Sequence, residues 1–347
     1  MALYLSKPSY PFKPIRSIPA LAKALRLDVV ALTSAADSAS KNYRSVAPPP
    51  SSTRQTFDAL GQLKNIHRRI KQVFFTKVIF PDYLHGSLRG CDYVTNASRH
   101  TDKQILICED VKKFFPSVTA DRVEDVWCGF FGFAPDVAQL LTKLTTKDGV
   151  LPQGAIPSSY LANLVLWRHE PLLHAKLAER DITYSRYVDD MAMSSVKHLT
   201  KETQTWVIAQ VYGMLRKVGL KAGREKHEIF SATEPMIATK LIVNRKPSLS
   251  SKKRSQIRAQ VRQVEMMQSA GGDQETVREL VNKAAQRVGQ LGRFHSTSAG
   301  HLKKRVKAVR AALPMESHSS TTYPVRHVAQ PQSAVGELPP WELSDLS

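Results

Sequence analysis

Cysteine is scarce in this chain of 347 residues: there are three, at positions 91, 108 and 128, with no Cys-x-x-Cys spacing among them. An odd, unspaced set excludes a disulfide framework and a cysteine-based zinc site, and leaves small buried or half-buried side chains. Long apolar runs are missing as well. None approaches the length of a spanning helix, and the first 27 residues are broken by Pro8, Pro11, Pro14 and Pro19 and by Lys7, Lys13 and Arg16. No continuous signal-peptide core exists there, so a cytoplasmic protein without membrane attachment is expected. Acidic residues are the third shortage, 30 against 50 Lys and Arg, and the net charge of +20 points to a polyanionic partner. The length still allows a sizeable core and more than one subdomain.

What the chain does contain is a β-rich run, Tyr184 to Ser194, interrupted by the adjacent acids Asp189 and Asp190. Strands on either side would set both carboxylates at a tight hairpin tip, on a rigid support. A third acid, Asp110, ends the short apolar run Gln104-Ile105-Leu106-Ile107-Cys108-Glu109, which reads as a buried strand. Three such acids together suit two Mg²⁺ ions about 3.5–4 Å apart, the spacing used for in-line nucleotidyl transfer. Each acid alone reads equally as a solvated turn residue or a cap.

Asp110 with Phe114-Phe115-Pro116-Ser117, then Leu151 to Ser159, then Tyr187-Val188-Asp189-Asp190 resemble, in order, the palm motifs of reverse transcriptases. Asn96-Ala97-Ser98-Arg99-His100 fits the Asn-Ala-x-x-His signature of the bacterial retron-type group. The similarity runs from Tyr43 to Ser250. It implies an α/β right-hand polymerase, with fingers, an α+β palm and a helical thumb. The implied activity is RNA-directed DNA polymerisation of retron type, by two-metal nucleotidyl transfer within a bacterial anti-phage defence system. The implied partners are a structured RNA template and primer, the DNA product, deoxynucleoside triphosphates and a defence effector protein. Two alternatives stay open: another defence-associated or group II intron-like reverse transcriptase, and a non-enzymatic RNA-binding scaffold on a polymerase fold.

The resemblance also assigns residues. Asp110, Asp189 and Asp190, with the Val111 backbone carbonyl, would hold two Mg²⁺ ions, and Lys226 would protonate departing pyrophosphate. Arg54 would meet the triphosphate, where a guanidinium's planar donors suit phosphate oxygens. Phe115 would close the floor under the nucleotide sugar and exclude a 2′-OH, while Gln153 and Gly154 would lie close to the nucleotide or template. Asn96 and His100 would organise the RNA or the junction of fingers and palm. Arg54 and Lys226 also read as solvated surface cations, Phe115 as core, and the 151–159 segment as an ordinary loop entering a helix.

Around these motifs, apolar spacing predicts helices over 18–36, 57–79 and 203–218, and the start signals Thr119 with Asp121, and Asp136, predict helices over 119–127 and 136–144. The second of these carries Lys64, His67, Arg68, Arg69 and Lys71 on a face that could meet template backbone. Ala47-Pro48-Pro49-Pro50-Ser51-Ser52 marks a loop between strands of the fingers. Residues 1–40 read as an N-terminal helical element, 41–250 as fingers and palm, and 251–313 as a basic thumb. This last segment holds 14 Lys and Arg against 4 acids, a net +10, with an apolar stripe at Val277, Leu280, Val281, Ala284, Val288 and Leu291 after the candidate cap Asp273. Lys303, Lys304, Arg305 and Lys307 are its candidate phosphate contacts. From 314 to 347 no period survives, and a disordered tail is expected.

Overall fold

The computed structural model describes residues 6–47 and 54–314. They form two compact units that divide between Thr239 and Lys240. The prolines of the expected loop after Ala47 and the expected tail after Pro314 lie outside the described residues.

The first unit begins with two helices where apolar spacing predicts one, α1 (Ile18–Ala24) and α2 (Val29–Asp37). Arg26 takes a φ of 52° between them, and the Asp28 carboxylate accepts from Ala31 N at 3.1 Å, so a local cap interrupts the continuous stripe. Next come β1 (Tyr43–Val46) and β2 (Thr56–Ala59), an antiparallel pair with Arg44 opposite Asp58. Phe57 to Ala59, predicted as the start of a helix, are therefore strand. Their partner lies across the proline segment, beyond the reach of any local period. Helix α3 (Gly61–Val73) follows and buries Leu63, Ile66 and Ile70. Most of its expected basic face is engaged within the protein. Lys64 pairs with Asp58, Arg69 donates to the Leu25 and Arg26 carbonyls at 2.7 Å each, and buried His67 bonds the Leu144 carbonyl.

The rest of the unit comprises α4 (Tyr93–Ser98), β3 (Ile105–Asp110), α5 (Phe114–Ser117), α6 (Ala120–Asp125), α7 (Pro135–Thr145), α8 (Ser158–Leu164), α9 (Glu170–Ala178), β4 (Thr183–Tyr187), β5 (Asp190–Ser195), α10 (Lys201–Lys217) and β6 (Glu228–Ser231). The four strands make one antiparallel sheet in the order β4-β5-β3-β6. Buried Ile105, Leu106 and Ile107 place β3 inside, as a near-continuous apolar run requires. An aromatic cluster of Phe74, Phe75, Trp127, Phe131 and Phe133 anchors the helical side of the core.

The second unit contains α11 (Ser251–Ser269), α12 (Gln274–Gly292) and α13 (Ser296–Ala312), packed on one another. Asp273 caps α12 through Thr276 N at 2.9 Å. Val277, Val281, Ala284, Val288 and Leu291 are buried against Ile257, Val261 and Val264 of α11 and Leu302 and Val306 of α13, with Leu280 only half-buried. Apolar residues every third or fourth position thus close the bundle and leave the lysines outward. No helix among the described residues is long and apolar enough to cross a membrane.

Candidate active site

Asp110 ends the central strand, and the register sets it directly opposite Asp190 at the start of β5. Asp189 occupies the turn between β4 and β5, after Val188 at a φ of 60°. Its carbonyl accepts from Val111 N at 3.1 Å, so the turn is tied to the residue after Asp110. On the far side, Gly223 N donates to the Asp110 carbonyl at 2.7 Å. That approach brings the short 3₁₀ turn Arg224–Lys226 alongside, and Lys226 Nζ lies 2.6 Å from Asp110 Oδ1.

The Asp110 side chain is 6% exposed. Burial pushes its carboxyl above the usual range, the Lys226 hydrogen bond pulls it down, and the charge of Asp189 pushes it up again. The same hydrogen bond raises Lys226. Asp110 and Asp189 line a cavity of about 640 Å³ together with Arg54, Phe115, Gln153 and Lys226. Phe115, half-buried on α5, forms part of its wall, and Phe114 beside it is core.

Among the described residues no three His, Cys, Asp or Glu side chains converge as a finished metal cage. Asp190 is exposed at the strand end, and the Lys226 ammonium occupies one oxygen of Asp110. The donor set still fits a hard divalent cation. A buried carboxylate carrying a like-charged neighbour, and already holding a cation, is stabilised by added positive charge. The Val111 carbonyl is not used by the adjoining bridge, whose bonds run from Lys112 N to Lys221 O and from Gly223 N to Asp110 O.

Other expected positions sit elsewhere. Asn96 and His100 are buried, at 1% and 0% exposure. His100 bonds the hydroxyls of Ser194 and Ser185 at 2.7 Å each, and Ser185 donates to Asn96 Oδ1 at 2.8 Å. The group locks α4 onto strands β4 and β5, and burial holds the His100 pKa down at about 3. Gly154 closely approaches the neighbouring strand: at a φ of 104°, a Cβ there would stand 2.8 Å from the Phe57 carbonyl on β2. In the second unit Lys303, Lys304, Arg305 and Lys307 are exposed, and Arg305 forms a two-pronged pair with Glu265 of α11.

Sequence reasoning passed over Glu109, the neighbour of Asp110. Alternation along β3 turns it to the opposite face, where its carboxylate accepts from His227 Nδ1 at 2.7 Å and Tyr212 OH at 3.3 Å. The turn bearing Lys226 is thereby held from both sides of the sheet. A buried acid next to a candidate ligand was the available signal.

The family described as "Reverse transcriptase (RNA-dependent DNA polymerase)" matches residues 39–268. The retron Se72 reverse transcriptase of Salmonella heidelberg (strain 579083-10) is 30% identical over 306 residues, covering 86% of this chain and 81% of that one. The retron Ec48 reverse transcriptase of Escherichia coli is 26% identical over 322 residues, covering 88% and 78%. Among solved structures, telomerase from Candida albicans with a fragment of telomeric RNA aligns with 72% of this chain and 47% of that chain, at a TM-score of 0.40 and 10% identity.

Proposed function

The chain belongs to the reverse transcriptase family, in its retron type, and is an RNA-directed DNA polymerase; on that premise we propose that it transfers nucleotides by a two-Mg²⁺ mechanism centred on Asp110, Asp189 and Asp190. The observation that carries this reading is the convergence of Asp110, Asp189, Lys226, Arg54 and Phe115 on one cavity, although they come from four separate stretches of sequence. When bound, the metal ions would activate the primer hydroxyl and neutralise the triphosphate. Asp110 and Asp189, with Asp190 and the Val111 carbonyl, would hold them.

The remaining residues orient and discriminate. Arg54 presents its fork to the triphosphate, and Phe115 closes the space a ribose 2′-OH needs. Lys226, kept protonated by Asp110, carries the proton that a pyrophosphate oxygen would take on leaving. Gln153 fixes the fingers strand through its carbonyl, which accepts from Phe57 N at 2.8 Å, while lining the cavity itself. Residues 41–250 serve in this proposal as fingers and palm, and 251–313 as a thumb that grips a structured RNA through phosphates. A place in anti-phage defence, with an effector protein, belongs to the same proposal.

The test is Asp189→Asn. A neutral amide meets poorly the need of Mg²⁺ for anionic oxygens, so extension of a DNA primer on RNA should be lost with RNA binding retained. Substantial extension by the purified variant in Mg²⁺ would overturn the assignment.

A further inference from the structure

Arg186, two residues before the turn, is fully buried. A guanidinium has five N–H donors, and here all five meet acceptors. Nε and Nη2 hold Glu170 Oε1 and Oε2 at 2.6 and 2.8 Å. Nη1 and Nη2 hold Asn163 Oδ1 and the Asn163 carbonyl at 3.3 and 3.0 Å. The fifth N–H, also on Nη1, reaches the Val188 carbonyl at 2.9 Å. That carbonyl belongs to the peptide that enters Asp189.

Val188 is an unfavourable residue for its place, since β-branched side chains resist a positive φ. It is enclosed from the other side by Gly86, where a Cβ would stand 2.3 Å from Val188 Cγ2 and 2.5 Å from its nitrogen. Asn163 Nδ2 holds the Gly86 carbonyl at 2.7 Å, so one asparagine joins both walls of the enclosure. Main-chain bonds from Arg186 N to Tyr83 O and from His85 N to Arg186 O lay that segment along β4. Glu170 accepts a further bond from Tyr184 OH at 2.7 Å. A buried ion pair is weak evidence for stability, because apolar replacements often serve as well. This one directs its last donor at a strained turn.

We propose that Arg186 and Glu170 are positioning residues for Asp189, holding Val188 in its left-handed conformation so that the carboxylate meets the cavity. The inference rests on the reading of Asp189 as a metal ligand. Lysine cannot reproduce the fork, and glutamine cannot supply the charge that orients it.

The experiment uses the full chain, a homopolymeric RNA template and an annealed DNA primer. Arg186→Lys and Glu170→Gln should lower single-turnover extension about 100-fold, the scale for a reacting group displaced by 1 Å, and should raise the Mg²⁺ concentration needed for half-maximal rate. Template–primer affinity should stay unchanged. Val188→Asn added to Arg186→Lys should restore extension, because asparagine tolerates positive φ. Absence of that rescue in a folded double variant would reduce the pair to core stability and overturn the proposal. Where Arg186→Lys fails to fold, Gly86→Ala supplies the same displacement with the ion pair intact, and wild-type extension there would also overturn it. Asp189→Asn measured in parallel separates the two readings. If it extends, the site assignment falls and this inference with it; if it is inactive while the folded positioning variants behave as wild type, only the positioning role falls.

Discussion

Replacing Lys303, Lys304 and Lys307 with alanine should flatten the salt dependence of RNA binding, while replacing Arg305 should not. All four lie within five consecutive positions of α13, yet their surroundings differ. All four are exposed, but Arg305 is bound to Glu265 by two hydrogen bonds, so its charge is already paired within the protein. Each lysine–phosphate pairing abolished lowers the log–log slope by about 0.7–0.9 units, so the triple variant should be flatter by up to about 2–3 units. Arg305→Ala should leave the slope unchanged and lower stability by the ~0.2–1 kcal/mol of a partly exposed pair. Dissociation constants across a salt series, beside thermal melts of both variants, make the comparison. An unchanged slope in the triple variant, or an equal flattening in Arg305→Ala, would refute the division between binding and structural cations.

Three further outcomes follow from the first unit. Phe115→Ala should raise ribonucleotide incorporation relative to deoxynucleotide, and an unchanged ratio of incorporation efficiencies would return Phe115 to core packing. His100, whose pKa falls from 6.5 to about 3 on burial, is neutral when folded and protonated when unfolded between those values. The share of stability that His100 contributes should therefore be complete above pH 6.5 and fall by about 1.4 kcal/mol per pH unit from there to about pH 3, and His100→Gln should make the measured slope shallower in urea titrations. Gly154→Ala combines a φ of 104° with a 2.8 Å contact to the Phe57 carbonyl, so a melt should show a loss of about 1–3 kcal/mol. A melt equal to wild type would show that the loop yields freely.

Legibility followed the range of the forces involved. Asp110 was visible as a strand end because Ile105, Leu106 and Ile107 form a local apolar run, and the hairpin at Asp189 because strand formers flank two turn residues. Helix α10 was visible from spacing, and α7 from the acid Asp136 at its start. The proline loop marked strands on either side, but the extent of β2 was not visible, since Thr56-Phe57-Asp58-Ala59 becomes strand only by pairing with Tyr43 to Val46 and by bonding Gln153 across nearly a hundred residues. Burial of Asn96 and His100 was hidden for the same reason. Their partners Ser185 and Ser194 lie over eighty residues onward and look like ordinary polar strand positions. Arg186 lay inside the β-rich run from Tyr184 to Ser194, but nothing local reveals that Glu170 waits for it on α9.

Asp110, unlike Asp189, is placed chiefly by backbone. Val111 N to Asp189 O, Gly223 N to Asp110 O and the Asp110–Asp190 register are main-chain relations that many strand sequences would satisfy. Side-chain identity matters where these bonds draw chains too close for a Cβ. Gly223 shows the distinction: its φ of −85° is open to any residue, so conformation does not require glycine there. Space does, because a Cβ at 223 would stand 2.9 Å from Asp110 Oδ2. The clash would push against the carboxylate on the side away from its Lys226 bond, which uses Oδ1. Glycine at this point thus preserves the second oxygen of Asp110, the one that the Lys226 ammonium does not use.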